Sequence, residues 1–239
     1  MKYQELLKAS KGLPVKDPIA ALWGRIRELT YRRVEYLKST GTQIIVTDIL
    51  LDYTKKVEMD CAFGSLIHST GYSNMVIFGV ASNNSNATYQ VFNYGGGSAG
   101  QTSTVGDVVY YIGFPWYDGI KDDAIYNVDL SKRVIMTAAR PISYWGDKSV
   151  TINNAVTKTG SASLSIFGRY LVDTDVKQPY GYRDMTVYSF KVYDANDVLL
   201  SNLIPVERED GELGLLDTIT NKFYANAGTG TFEKGGYLD

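Results

Sequence analysis

The chain has 239 residues, with 24 Lys+Arg against 26 Asp+Glu, 19 Tyr, 23 Gly, one Cys and one His. A single Cys and a single His exclude, within one chain, a Cys/His zinc site, an iron–sulfur cluster, a disulfide framework and a two-His metal site. The net charge of -2 lacks the basic excess of a nucleic-acid binder, and the longest clear apolar run, Met75 to Ala81, falls far short of the ~20 residues that span a bilayer.

Met1 to Leu6 lacks the apolar core of a secretory signal, so synthesis in a reducing cytoplasm is expected. Tyr3, Leu6 and Leu7 sit at helical spacing before Gly12 and Pro14 stop the helix. Asp17 can cap a second helix with Pro18 at its first position, and Ile19, Leu22, Trp23, Ile26 and Leu29 then form one apolar stripe. Residues 1–33 carry eight Lys/Arg against three acids, a local +5; the other 16 bases and 23 acids leave the remainder at -7. Two short helices broken by Gly12-Leu13-Pro14 bury both stripes poorly against each other, so their apolar faces need another surface. The protein's own body is one such surface, and a neighbouring subunit is the other. Opposite charge on arm and body favours the second, with Ile19, Leu22, Trp23, Arg25 and Ile26 as the anchoring residues.

From Val34 the period of the pattern changes to two. Val57, Met59, Cys61 and Phe63 alternate with Lys56, Glu58, Asp60 and Ala62; Tyr126, Val128 and Leu130 alternate with Asn127 and Asp129. Val150 and Ile152 alternate with Ser149, Thr151 and Asn153, and Tyr188, Phe190 and Val192 with Ser189, Lys191 and Tyr193. Turn clusters such as Asp194-Ala195-Asn196-Asp197 and Glu209-Asp210-Gly211 separate the runs. The pattern predicts an all-β antiparallel two-sheet sandwich over 34–239, preceded by a helical arm over 1–33.

Several motifs invite a chemical reading that their context withholds. Gly95, Gly97 and Gly100 satisfy G-x-G-x-x-G, yet Gln101-Thr102-Ser103-Thr104 opens no amphipathic helix to receive a phosphate. His68 has no Gly-x-Ser-x-Gly partner for a triad, and Cys61 lies on the apolar phase of its strand, where a thiol is inert. Glu58 and Asp60 share a strand face about 6.6 Å apart. Jelly-roll glycosidases carry E-x-D-x-E or E-x-D-x-x-E, and here Ala62 and Phe63 stand where the third acid would be. Asp118, Asp122 and Asp123 around Gly119 are a candidate Ca²⁺ set without EF-hand spacing. Trp116-Tyr117, Tyr144-Trp145 and Tyr182 follow or flank prolines and are candidate loop aromatics for stacking on a pyranose ring.

The stretch Val34 to Ile49, followed by Lys56-Val57-Glu58-Met59-Asp60, resembles the opening of LamG-type, concanavalin A-like jelly rolls, which are common in bacteriophage proteins. Val187 to Asp194, Leu203-Ile204-Pro205-Val206, Gly211 to Asp217 and Asn221 to Phe232 resemble the closing cassette of the same family. Gly12 to Arg25 is similar to the N-terminal segment of phage tail and fibre proteins. The resemblance implies a non-enzymatic virion structural protein of tail, baseplate or fibre, assembled in the host cytoplasm. Its arm would attach to other virion proteins, and its jelly roll, most often trimeric in fibres, would adhere to a host-surface glycan. It implies no catalytic residue and no cofactor. The alternatives it leaves are an architectural decoration or connector protein without ligand, and a jelly-roll glycoside hydrolase.

Overall fold

The computed structural model describes residues 30–64, 75–81, 87–93, 107–113, 123–171, 175–178 and 185–238. The predicted arm residues Ile19, Leu22, Trp23, Arg25 and Ile26 lie outside them, as do His68, the Gly95–Gly100 motif, Trp116, Tyr117, Asp118, Asp122 and Tyr182. No helix among the described residues is long and apolar enough to cross a membrane.

In chain order, β1 (Tyr31–Arg33), β2 (Leu37–Lys38), β3 (Ile45–Leu51) and β4 (Lys56–Phe63) are followed by β5 (Met75–Ala81), β6 (Ala87–Asn93) and β7 (Val108–Ile112). Then come β8 (Ala124–Ile125), β9 (Val134–Ala138), β10 (Ile142–Trp145), β11 (Lys148–Thr151) and β12 (Ala162–Ile166). β13 (Arg169–Leu171), β14 (Val176–Gln178), β15 (Met185–Tyr193), β16 (Leu199–Arg208), β17 (Leu213–Asp217), β18 (Lys222–Ala225) and β19 (Glu233–Lys234) complete the chain. The larger sheet runs β11-β10-β9-β4-β15-β16-β17-β18, with β1 beside β16, β2 beside β15 and β19 beside β2. The smaller runs β14-β13-β5-β6-β7-β8, with β12 joining β5 to β3. Pairing is antiparallel throughout, except for the contact of Leu171 with Ala81 between β13 and β5.

β4 shows why the chain chooses strands. Val57, Met59, Cys61 and Phe63 are buried while the residues between them are half-exposed, so one face of the strand joins the core and the other meets water. Facing side chains from the two sheets interlock. Phe78 of the smaller sheet meets Phe190 of the larger edge-on, with ring centroids 5.1 Å apart. The buried Tyr89 and Tyr110 send hydroxyls across the interface to the carbonyl oxygens of Ala138 and Tyr144, so even the polar tips of these rings tie one sheet to the other. On one flank the Ile45–Asn226 bridge and the hydrogen bond from Ala227 N–H to the Ile44 carbonyl close the sandwich.

Two expectations need correction. Tyr31–Arg33, assigned to the helical arm, form a strand paired in register with Arg208, Glu207 and Val206, so the sheet begins before Val34. Tyr126 to Leu130 is no strand: the buried Asp107 carboxylate accepts the Asn127 N–H, Asn127 takes a left-handed φ of 54°, and Asp129 accepts from Ser131 two residues on. Short polar side chains there satisfy the backbone locally and out-compete a ladder.

The first and last described residues are strapped together. Val34 bridges Tyr237, Leu238 N–H donates to the Arg33 carbonyl, and the Arg32 guanidinium lies 3.5 Å from the centre of the Tyr237 ring. Glu207 of β16 accepts from Lys234 at 2.7 Å and from the Tyr237 hydroxyl. Thr30 lies at the β16–β17 turn, where its carbonyl takes the Glu209 N–H. The Asp52–Lys55 and Asp194–Val198 turns occupy the opposite pole, joined by the Lys56–Asp197 ion pair.

Truncating Phe190 to Ala removes the ring that bridges both sheets and should lower unfolding stability by about 3–5 kcal/mol, measured by urea titration; a loss under about 1 kcal/mol would show that the cross-sheet contact is dispensable. The Lys234 ammonium, and then the Tyr237 hydroxyl, hold the Glu207 carboxyl below its ordinary value near 4.5. A depressed folded-state value means that the clamp stabilises the protein above that ordinary value and loses its contribution as pH falls through the lower folded one. Glu207→Gln should therefore flatten part of the fall in melting temperature between neutral pH and about pH 3; an unchanged acid limb would remove the clamp from the account.

Candidate functional site

The outward face of the larger sheet is built by the same alternation that fills the core. Because Val57, Met59 and Cys61 point inward, Lys56, Glu58 and Asp60 point out from β4. Register sets their neighbours: Glu58 lies between Thr137 of β9 and Lys191 of β15, and Lys191 lies beside Asn202 of β16. Asp60 lies between Ile135 and Ser189.

Each carboxylate is held by a base. Lys191 Nζ donates to Glu58 Oε1 at 2.7 Å, and the hydrogen bond to Glu58 raises the Lys191 pKa. Arg133 grips Asp60 with two parallel bonds, Nε to Oδ1 at 2.9 Å and Nη2 to Oδ2 at 2.8 Å, which raises the arginine further. The same guanidinium covers the Tyr188 ring at 3.6 Å, and Tyr36 meets Tyr188 edge-on at 5.6 Å. Burial, ahead of the neighbouring charges, pushes the Tyr188 hydroxyl up, so it stays a neutral donor. Toward the far pole, Lys56 lies over Tyr193 at 4.4 Å. The result is a flat array of paired charges and half-exposed tyrosines, offering carboxylate acceptors and cationic donors a few ångströms apart.

The array does not suit hydrolysis. Glycoside cleavage needs two carboxyls free to face the scissile bond from opposite sides, whereas these two lie side by side in ion pairs. At the first position where a third acid would stand is the methyl group of Ala62; at the second, Phe63 faces the core, its ring 5.7 Å from Trp145. An acid at the second position would be buried among apolar side chains, so this strand cannot present it to a substrate.

Of the aromatics proposed for sugar stacking, Tyr144 stands on the outward face of β10 and is 42 % exposed. Trp145, the next residue, points the other way, is 4 % exposed and stacks on Phe63, so it is a core residue and offers no platform. Trp116, Tyr117 and Tyr182 lie outside the described residues. Gly113 and Asp123, which flank Trp116 and Tyr117 in the chain, both lie at the far pole. There the Gly113 carbonyl accepts from the Thr157 and Lys158 N–H groups, and Asp123 accepts from Asn154, whose own carbonyl accepts from Arg140. Of the candidate Ca²⁺ set, only Asp123 is described; burial raises its pKa, and Asn154 already takes one oxygen. Among the described residues no three His, Cys, Asp or Glu side chains gather as metal ligands. Cys61 is fully buried, and burial drives its thiol pKa far up, which leaves it unreactive.

Arg133, Lys191, Tyr36 and Tyr193 belong to this array but were not singled out by the sequence pattern. Tyr188 was placed with the buried phase of its strand. A register shift between Val187 and Ser189 turns it outward, and alternation alone carries no sign of such a bulge. No family model and no curated protein matches the chain.

Proposed function

We propose that this chain is a non-enzymatic structural protein of a bacteriophage virion, whose concanavalin A-like, LamG-type jelly roll adheres to a host-surface glycan. The N-terminal arm attaches it to other virion proteins, and repetition on a homo-oligomer turns weak contacts into useful avidity. The observation that carries the adhesive reading is the Glu58–Lys191 and Asp60–Arg133 array beside Tyr188. Vicinal sugar hydroxyls bind well to fixed acceptor–donor pairs next to an aromatic face, and a paired charge is cheaper to cover with a neutral ligand than a lone one. The placement of Thr30 at one pole and the Asp52–Lys55 and Asp194–Val198 turns at the other agrees with attachment at the first and display of the second.

A glycan array probed with the full chain should give selective binding that weakens about tenfold, ~1.4 kcal/mol, in Tyr188→Ala and in Asp60→Asn. Both variants should stay folded, since a part-exposed ion pair contributes only about 0–1 kcal/mol. A silent array would favour the architectural alternative, and β-glucan hydrolysis abolished by Glu58→Gln would overturn the non-enzymatic reading. Deleting 1–29 should leave a folded sandwich that no longer joins particles, whereas deleting 1–33 should also lower the melting temperature by removing β1 from the sheet edge; normal incorporation of the shorter deletion would sink the anchor role.

A further inference from the structure

The outward face of the larger sheet is divided. Over β4 and β15 it carries Lys56, Glu58, Asp60 and Lys191. Over β9, β10 and β11, the first three strands of the path, it carries no charge. Met136 and Ala138 of β9 and Ser143 and Trp145 of β10 are buried, so Ile135, Thr137, Ile142 and Tyr144 point outward; register adds Ser149 and Thr151 of β11 to the same face. Ile135, Tyr144 and Ile142 are 55 %, 42 % and 38 % exposed; Tyr144 lies opposite Thr137, with Ile142 two residues to one side of it and Ile135 diagonally to the other.

Three bases that border this face are engaged away from it. Arg133 is bound to Asp60, Arg140 donates to the carbonyls of Ile112, Ile152 and Asn154, and Lys148 donates to those of Tyr126 and Asn127. Asp147, in the turn between β10 and β11, remains exposed at the rim.

We infer that this uncharged face of β9, β10 and β11 is where a second copy of the chain packs. Three exposed large apolar side chains ringed by hydroxyls have the composition of an interface centre, depleted of charge and built around an aromatic. Electrostatics selects the occupant. A basic segment such as residues 1–29 would meet Asp147 at the rim, while the acids that adjoin the face, Glu58 and Asp60, are already held in ion pairs. A copy of the same face brings no like charge into opposition, which a copy of the β4–β15 half would do at every symmetry-related Lys and Glu. Three strands about 4.8 Å apart cover only the centre of an interface, since stable pairs bury roughly 800 Å² per partner, so flanking loops join it.

The inference does not depend on any ligand. It assigns Tyr144 to contact between copies and leaves the sugar array to Tyr188 and the two ion pairs. The full chain should sediment as an oligomer whose dissociation constant rises at least about tenfold in Ile135→Asp and in Thr137→Arg, with unchanged circular dichroism and melting temperature. Thr137→Arg keeps every apolar group and tests the face even if the first variant folds poorly. Leu50→Asp, at an apolar residue 58 % exposed on β3, should keep the wild-type mass. A monomeric wild-type chain, an oligomer untouched by both face variants, or equal dissociation by Leu50→Asp would each overturn the inference. Single-site glycan affinity should stay constant in Ile142→Asp, which lies on β10 away from the array and should dissociate the oligomer likewise, and fall in Tyr188→Ala, which separates this interface from the adhesive reading.

Discussion

Strand β4 can lie in the larger sheet in only one way. A shift of one residue would expose Val57, Met59, Cys61 and Phe63 and bury Lys56, Glu58 and Asp60, at a cost far above the few kcal/mol by which a domain is stable. Since β4 pairs with β9 on one side and β15 on the other, its phase sets theirs as well. The ion pairs of the outward face follow from that choice: Lys191 stands beside Glu58 because Phe190 and Val192 must point inward, and Arg133 reaches Asp60 because Met136 must. The charged outward face is thus the reverse side of the core.

A second constraint fixes where the molecule can be held. β1 and the residues around Tyr237 lie side by side on the sheet edge, tied by Arg32, Glu207 and Lys234. The chain therefore enters and leaves the described sandwich close together. A pull applied through Thr30 acts along β1, across hydrogen bonds that run sideways to β16, so the ladder resists as a set rather than one bond at a time. This geometry suits the attachment proposed for residues 1–29, and the turns beyond Lys56 and Tyr193 lie at the pole opposite Thr30.

Much of the architecture was legible in the residues because one-sided burial writes itself as alternation: β4, β11 and most of β15 are visible that way. Tyr126 to Leu130 misled because Asp107 and Asp129 satisfy the backbone locally, an effect of which side chain reaches which N–H rather than of period. Tyr31–Arg33 carries too few residues for any period, and only the long β16 beside it supplies a partner. At the site, Glu58 and Asp60 were legible from spacing, but their partners come from β9 and β15, and cross-strand pairing over more than 70 residues leaves no local trace. Trp145 could not be told from Tyr144 without a phase: two adjacent aromatics on a strand must face opposite ways, and the register of β10 against β9 decides which one is wet.

That register also divides the labour of the outer face. Moving from β15 toward β11, charge stops at β4, and beyond it the outward residues are Ile135, Thr137, Ile142, Tyr144, Ser149 and Thr151. A single binding surface would gain little from so sharp a boundary, because an exposed isoleucine adds nothing to hydroxyl recognition and invites association in water. Two surfaces explain it better. An uncharged margin can meet its own copy, and a charged centre, kept soluble by its ion pairs, remains open beside it. Copies joined along the margin would present their Asp60–Arg133 arrays at fixed spacing, and fixed spacing is what converts a weak contact into attachment. The proposed oligomerisation and adhesion would then both follow from one sheet whose inward face had already settled the register.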